Sequence, residues 1–103
     1  MIWFNVKEAW TYLKDNGMVY TIRPNKKING LHTVKSRFFD PNERVHCTLV
    51  FIRELDMTKD EETKQILKKY VAESGFQTVE GWIEAFPKRK LKMRLYQARL
   101  CKL

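Results

Sequence analysis

Acidic residues are missing from two long stretches of this chain. Residues 21–39 hold five basic side chains and no Asp or Glu, and residues 85–103 hold seven and again none. Neither stretch neutralises itself, so charge is segregated along the chain. Cysteine is scarce as well. Cys47 and Cys101 are too few for a disulfide framework and do not stand at metal-ligand spacing. Both fall in strand-like patterns, where a buried free thiol behaves as a small apolar residue. No apolar run approaches the roughly 18–20 residues of a membrane span. The opening Met1-Ile2-Trp3-Phe4-Asn5-Val6-Lys7 lacks the basic start and long apolar stretch of a secretory signal. These absences predict a cytoplasmic protein with no membrane partner. There is no Gly-rich phosphate loop and no cysteine–histidine motif. His32 and His46 have no partner at ligand spacing, so neither metal nor cofactor is expected.

What is present suffices for a core. An apolar fraction of 44% and an aromatic fraction of 13% over 103 residues fit one folded domain, 1–103, and leave no room for two. Twenty Lys and Arg against twelve Asp and Glu give a net charge of +8, which favours a polyanionic partner. The acids gather at Glu54, Asp56, Asp60, Glu61 and Glu62, away from the basic stretches. Such separation tends to make a basic face.

Periodicity supplies the elements. Trp3, Val6, Trp10 and Leu13 recur at helical spacing over residues 3–15, and Asn16-Gly17 makes a C-terminal stop. Met18 to Arg23 reads as a short strand, because Pro24 cannot continue a central one. A basic loop follows, then a strand from His32 to Phe39 ended by the Asp40-Pro41-Asn42 turn. Val45 to Leu55 is the clearest strand, with Val45, Cys47, Leu49 and Phe51 facing one way and Val50 and Ile52 thickening the other side. Thr58 through Glu61 fits a capping box for a helix that turns Ile66, Leu67, Tyr70 and Val71 inward and stops at Ser74-Gly75. A shorter helix from Thr78 buries Val79, Trp82, Ile83 and Phe86, and Leu91 to Leu100 alternates as a last strand. Helix, three strands, two helices, strand: the order predicts an α+β domain with a curved or closed sheet.

Tyr20-Thr21-Ile22-Arg23-Pro24 is the most informative segment. An arginine at a strand end before proline is held more firmly than one in a loop. Lys26, Lys27, Lys35 and Arg37 surround it in sequence, a neighbourhood suited to a phosphate or a nucleobase edge. Lys90, Lys92 and Arg94 alternate, so in a strand they share a face at about 6–7 Å per step. With Lys88 and Arg89 before them, they either track a nucleic-acid backbone or guard an edge strand against aggregation. Arg99 and Lys102 extend the basic region, and Tyr20, Phe38, Phe39 and Tyr96 are candidates for stacking on unpaired bases.

The opening helix, Gly17 and the strand ending Tyr20-Thr21-Ile22-Arg23 resemble the ASCH domains of the PUA-like superfamily. The Glu73-Ser74-Gly75-Phe76 turn, the Thr78-Val79-Glu80-Gly81-Trp82-Ile83 helix and a final strand with Leu95-Tyr96 support the likeness. The resemblance implies a small PUA-like β-barrel flanked by helices, with a cleft beside the first strand, and RNA as partner. One ASCH branch hydrolyses acetylated cytidine with a lysine, a threonine three residues later and a glutamate between the helices. The threonine matches Thr21 and the glutamate matches Glu73, but the lysine position is Met18. Methionine has neither charge nor transferable proton, so catalysis by Thr21 and Glu73 would need a lysine from elsewhere. The reading therefore leans against an enzyme. It favours an RNA-binding domain, with single-stranded DNA as the second nucleic-acid candidate and a nucleoside amidohydrolase or ribonuclease as the alternative. Arg23 either binds phosphate or pairs with Glu73 or Glu80. Thr21 either meets ligand or is an ordinary strand residue, and Glu73 otherwise ends as a solvated residue.

Overall fold

A single sheet separating two hydrophobic cores organises the computed structural model, which describes residues 2–3, 7–24, 29–35, 45–85 and 91–101. Strand β1 (Ile2–Trp3) is followed by helix α1 (Lys7–Asn16), strands β2 (Met18–Arg23), β3 (Gly30–Lys35) and β4 (Val45–Asp56), and helix α2 (Asp60–Leu67). A 3-10 turn (Val71–Glu73), helix α3 (Val79–Glu84) and strand β5 (Lys92–Leu100) complete the order. The strands lie as β1-β3-β4-β5-β2; β1 runs parallel to β3 and the other neighbours are antiparallel. Among the described residues β1 and β2 are opposite edges, so the sheet is α+β and not closed as a barrel.

Central strands β4 and β5 pair along almost their whole length, with one irregularity. Phe51 stands opposite Tyr96, but Arg53, not Ile52, stands opposite Leu95. The extra residue reverses the in–out parity of β4. Before it, Cys47 and Leu49 join Val19, Tyr96 and Ala98 under Ala9, Trp10 and Leu13 of α1. After it, Leu55 joins Ile22, Met93 and Leu95 on the other face, under Leu67, Val79, Trp82 and Ile83. Each fully buried Leu or Val contributes about 1.5–3 kcal/mol, and the two helical layers hold the sheet from both sides.

Several expectations are corrected. The helix predicted over 3–15 begins at Lys7, because Ile2 and Trp3 pair with Val34 and Lys35 at the sheet edge. Helical spacing of apolar residues does not report such backbone pairing. The strand predicted over 32–39 starts at Gly30 and is described to Lys35; the rest of that span and Phe86 lie outside the described residues. The capping box does not form. Thr58 donates its hydroxyl to Asp56 Oδ1 at 2.6 Å and its amide to the same oxygen at 3.0 Å, so the hydroxyl is occupied before α2 begins. These bonds hold the Asp56 carboxyl below its ordinary range. The predicted long helix breaks after Leu67, where the chain turns to set the Tyr70 ring edge-on to Tyr20 at 4.7 Å. Val50 is 41% exposed, so the helices cover only part of the second face. Cys101 lies just past β5, half-buried, its sulfur 3.0 Å from Thr48 Oγ1. The shorter helix starts where expected, and Thr78 caps it by accepting from the Gly81 amide at 3.0 Å.

Gly75 joins the two layers. Its φ is +90°, and a Cβ there would land on the backbone carbonyl of Glu8 in α1. Gly17, with φ +82°, has open space around the same position. Gly17→Ala should therefore cost only the left-handed backbone penalty of about 1 kcal/mol. Gly75→Ala should cost at least about 2 kcal/mol, because backbone must move as well. Chemical denaturation of the two variants checks this, and equal losses would mean that α1 does not depend on the Gly75 contact.

Candidate nucleic-acid interface

Beyond the residues that α1 covers, the same face of the sheet carries a rung of three charged residues from three strands. Arg23 of β2 stands directly opposite Arg94 of β5, and Arg94 directly opposite Glu54 of β4. The rung before it is Thr21, Tyr96 and Phe51; the rung after it pairs Lys92 with Asp56. The slip at Ile52 brings Glu54 onto this face; without it Arg53 would stand there.

Arg23 donates from Nε to Thr21 Oγ1 at 3.2 Å, and Thr21 is 4% exposed. Burial brings the Arg23 guanidinium down to about 10, so it remains charged at neutral pH, and the residue as a whole is half-buried. Arg94 is fixed by a bond from Nη1 to the Pro24 carbonyl at 3.3 Å, which ties the end of β2 to β5. Its Nη2 lies 4.0 Å from Glu54 Oε2, and Lys92 Nζ lies 3.5 Å from Glu54 Oε1. Tyr96 is fully buried, and the Phe51 ring stands edge-on to it at 5.6 Å with 37% of the residue exposed.

The structure thus brings together Thr21, Arg23, Lys92 and Arg94. Lys35 closes β3 beside Trp3, at the end of the sheet away from Arg23, so the basic stretch 21–39 is split between two ends. Lys26, Lys27, Arg37, Lys88, Arg89, Lys90, Lys102, Phe38 and Phe39 lie outside the described residues. Arg99 falls on the opposite face from Arg94, its Nε donating to Gln97 Oε1 at 3.1 Å, and does not extend the row. Tyr20 accepts from Gln97 Nε2 and packs on Tyr70, while Tyr96 is buried; neither offers an open ring face. Sequence reasoning missed Glu54 and Phe51. Glu54 was visible only as one member of an acidic group, since its alignment with Arg94 depends on the slip.

The hydrolase constellation is not assembled as the resemblance implies. Among the described residues Thr21 and Glu73 share no hydrogen bond. Glu73 is exposed on a 3-10 turn whose Val71 packs on the second core, while Thr21 faces the first. Met18 stands three residues before Thr21 in an unbroken strand, so its side chain leaves from the other face. The Cys47 thiol is pushed up to about 12, first by burial and then by Cys101, which keeps it protonated and inert at neutral pH. Among the described residues no group of three or more His, Cys, Asp or Glu is placed to hold a metal ion, and no helix is long and apolar enough to cross a membrane. Comparison with protein-family models, curated proteins and solved structures gives no match to this chain.

Like charges directly opposite each other across a strand pair are destabilising, and Arg23 stands opposite Arg94. Arg23→Met, which keeps much of the aliphatic stem and removes the charge, should leave the melting temperature unchanged or raise it by a few degrees. A fall of more than about 4–8 °C, equivalent to about 1 kcal/mol, would mean that Arg23 holds the fold together instead.

Proposed function

We propose that this chain binds nucleic acid, RNA in the first place, through the end of the sheet face centred on Arg23. The observation that carries the reading is the direct opposition of Arg23 and Arg94 across β2 and β5, with Arg23 half-buried at the end of its strand. Two guanidiniums on one face can be bridged by a single anion, and planar donor forks fit phosphate oxygens and base edges. Lys92 widens the positive end, and Phe51 offers a partly exposed ring beside it for an unpaired base.

RNA rather than DNA, and a PUA-like barrel where the described strands form an open sheet, follow from the ASCH resemblance, and the cytoplasmic location follows from the sequence expectation. All three belong to the proposal. Binding stands ahead of hydrolysis because Thr21 is committed to Arg23 and residue 18 faces away from it. The wild-type protein should accordingly show no turnover of acetylated cytidine.

Affinity for a single-stranded oligoribonucleotide should be dominated by charge. Three to five phosphate contacts give a slope of log K against log salt of about −2 to −4. Arg23→Met should weaken binding at least tenfold. The Lys92→Gln, Arg94→Gln double variant should weaken it for every sequence alike and flatten the slope by about one to two. Fluorescence anisotropy over a salt series, run in parallel with duplex DNA and single-stranded DNA, reads all of these. Undetectable binding at low salt, or binding insensitive to salt, would contradict the proposal.

A further inference from the structure

We propose that Glu54 is a built-in competitor for the phosphate position between Arg94 and Lys92, and that it restricts the site to polyanions over single phosphates. The proposal rests on the nucleic-acid reading of this face. Glu54 places one carboxylate oxygen 3.5 Å from Lys92 Nζ and the other 4.0 Å from Arg94 Nη2. A phosphate bridging the two cations would use the same space. The pairing is loose. The Glu54 side chain is 46% exposed and that of Lys92 69%, and exposed pairs at such distances are weak and yield to a stronger anion. Arg94 does not follow the carboxylate out, because its Nη1 is held on the Pro24 carbonyl and its side chain is only 26% exposed.

The consequence is a threshold. A lone phosphate must displace Glu54 to gain one bridge, and the displaced carboxylate then repels it. A linked chain of phosphates meets the same competitor but adds contacts at Arg23 in the same event, so the later contacts are effectively intramolecular. Discrimination comes from the repulsive element as much as from the cations.

Glu54→Gln tests this, with Glu54→Asp as the charge-retaining comparison and thermal melting as the check on folding. The probes are a short single-stranded oligoribonucleotide, followed by anisotropy, and inorganic phosphate, followed through the arginine Nε–H resonances. Glu54→Gln should tighten oligonucleotide binding by about three- to tenfold and steepen the salt slope by about one. Inorganic phosphate should shift the Arg94 resonance in Glu54→Gln at concentrations where wild type and Glu54→Asp are silent. Adding Arg94→Gln to Glu54→Gln should erase the gain. Equal oligonucleotide binding by wild type and Glu54→Gln would overturn the competitor role and leave the nucleic-acid reading intact. Weaker binding by Glu54→Gln would overturn it in favour of a carboxylate that positions Arg94. If phosphate reaches Arg94 only in Glu54→Gln while neither protein binds oligonucleotide, the competitor stands and the nucleic-acid reading falls.

Discussion

The pairing of β4 with β5, interrupted once at Ile52, is the constraint on which the rest of the molecule depends. An uninterrupted β4 would point Leu55 to the face of Cys47 and Leu49 and take it out of the second core. With the slip, Cys47 and Leu49 serve α1 while Leu55 serves α2 and α3. A 103-residue chain thereby builds two cores on one sheet. The same slip decides which side chains stand beyond the end of the first core. It sets Glu54, not Arg53, against Arg94, and so gives the charged end of the sheet its alternation of sign.

That end of the sheet is electrostatically uneven. Arg23 is held by Thr21, Arg94 by Pro24, and both stand on the same face. Glu54 offsets part of this on the β4 side. The result is a fixed pair of guanidiniums next to a weakly held carboxylate, an arrangement better suited to exchanging anions than to stiffening a fold. The neighbouring rung is packed, since Tyr96 is fully buried, and Arg23 and Arg94 are each held by a hydrogen bond. Rigid donors lose little entropy when a ligand arrives.

Much of the architecture was legible in the sequence, for identifiable reasons. Alternation in 45–51, the Gly17 stop and the helix start at Thr78 are local signals, and each appears where the spacing put it. Elements that depend on remote partners were not legible. Ile2 and Trp3 became a strand because β3 offered an edge, and the helix expected through Val71 broke because Tyr70 turned onto Tyr20. The site shows the same division. Arg23 and the Lys92–Arg94 alternation are sequence features that the fold brings onto one face. Lys35 is near Arg23 in sequence and far from it in the sheet, and Arg99 differs from Arg94 by an odd number of residues and leaves from the other side. Proximity along a chain that reverses direction at every strand is a poor guide to which charges meet. Glu54 shows the opposite case, since only the register reveals its partner.

The central claim is that the Arg23–Arg94 rung is where nucleic acid is held. Amide resonances of the protein titrated with a single-stranded oligoribonucleotide test it directly. The largest shifts should fall on Thr21, Arg23, Phe51, Lys92 and Arg94. Shifts confined to the half-covered second face at Leu31, Thr48, Val50 and Arg99, or to the exposed side of α1, would contradict it, as would a spectrum that does not change.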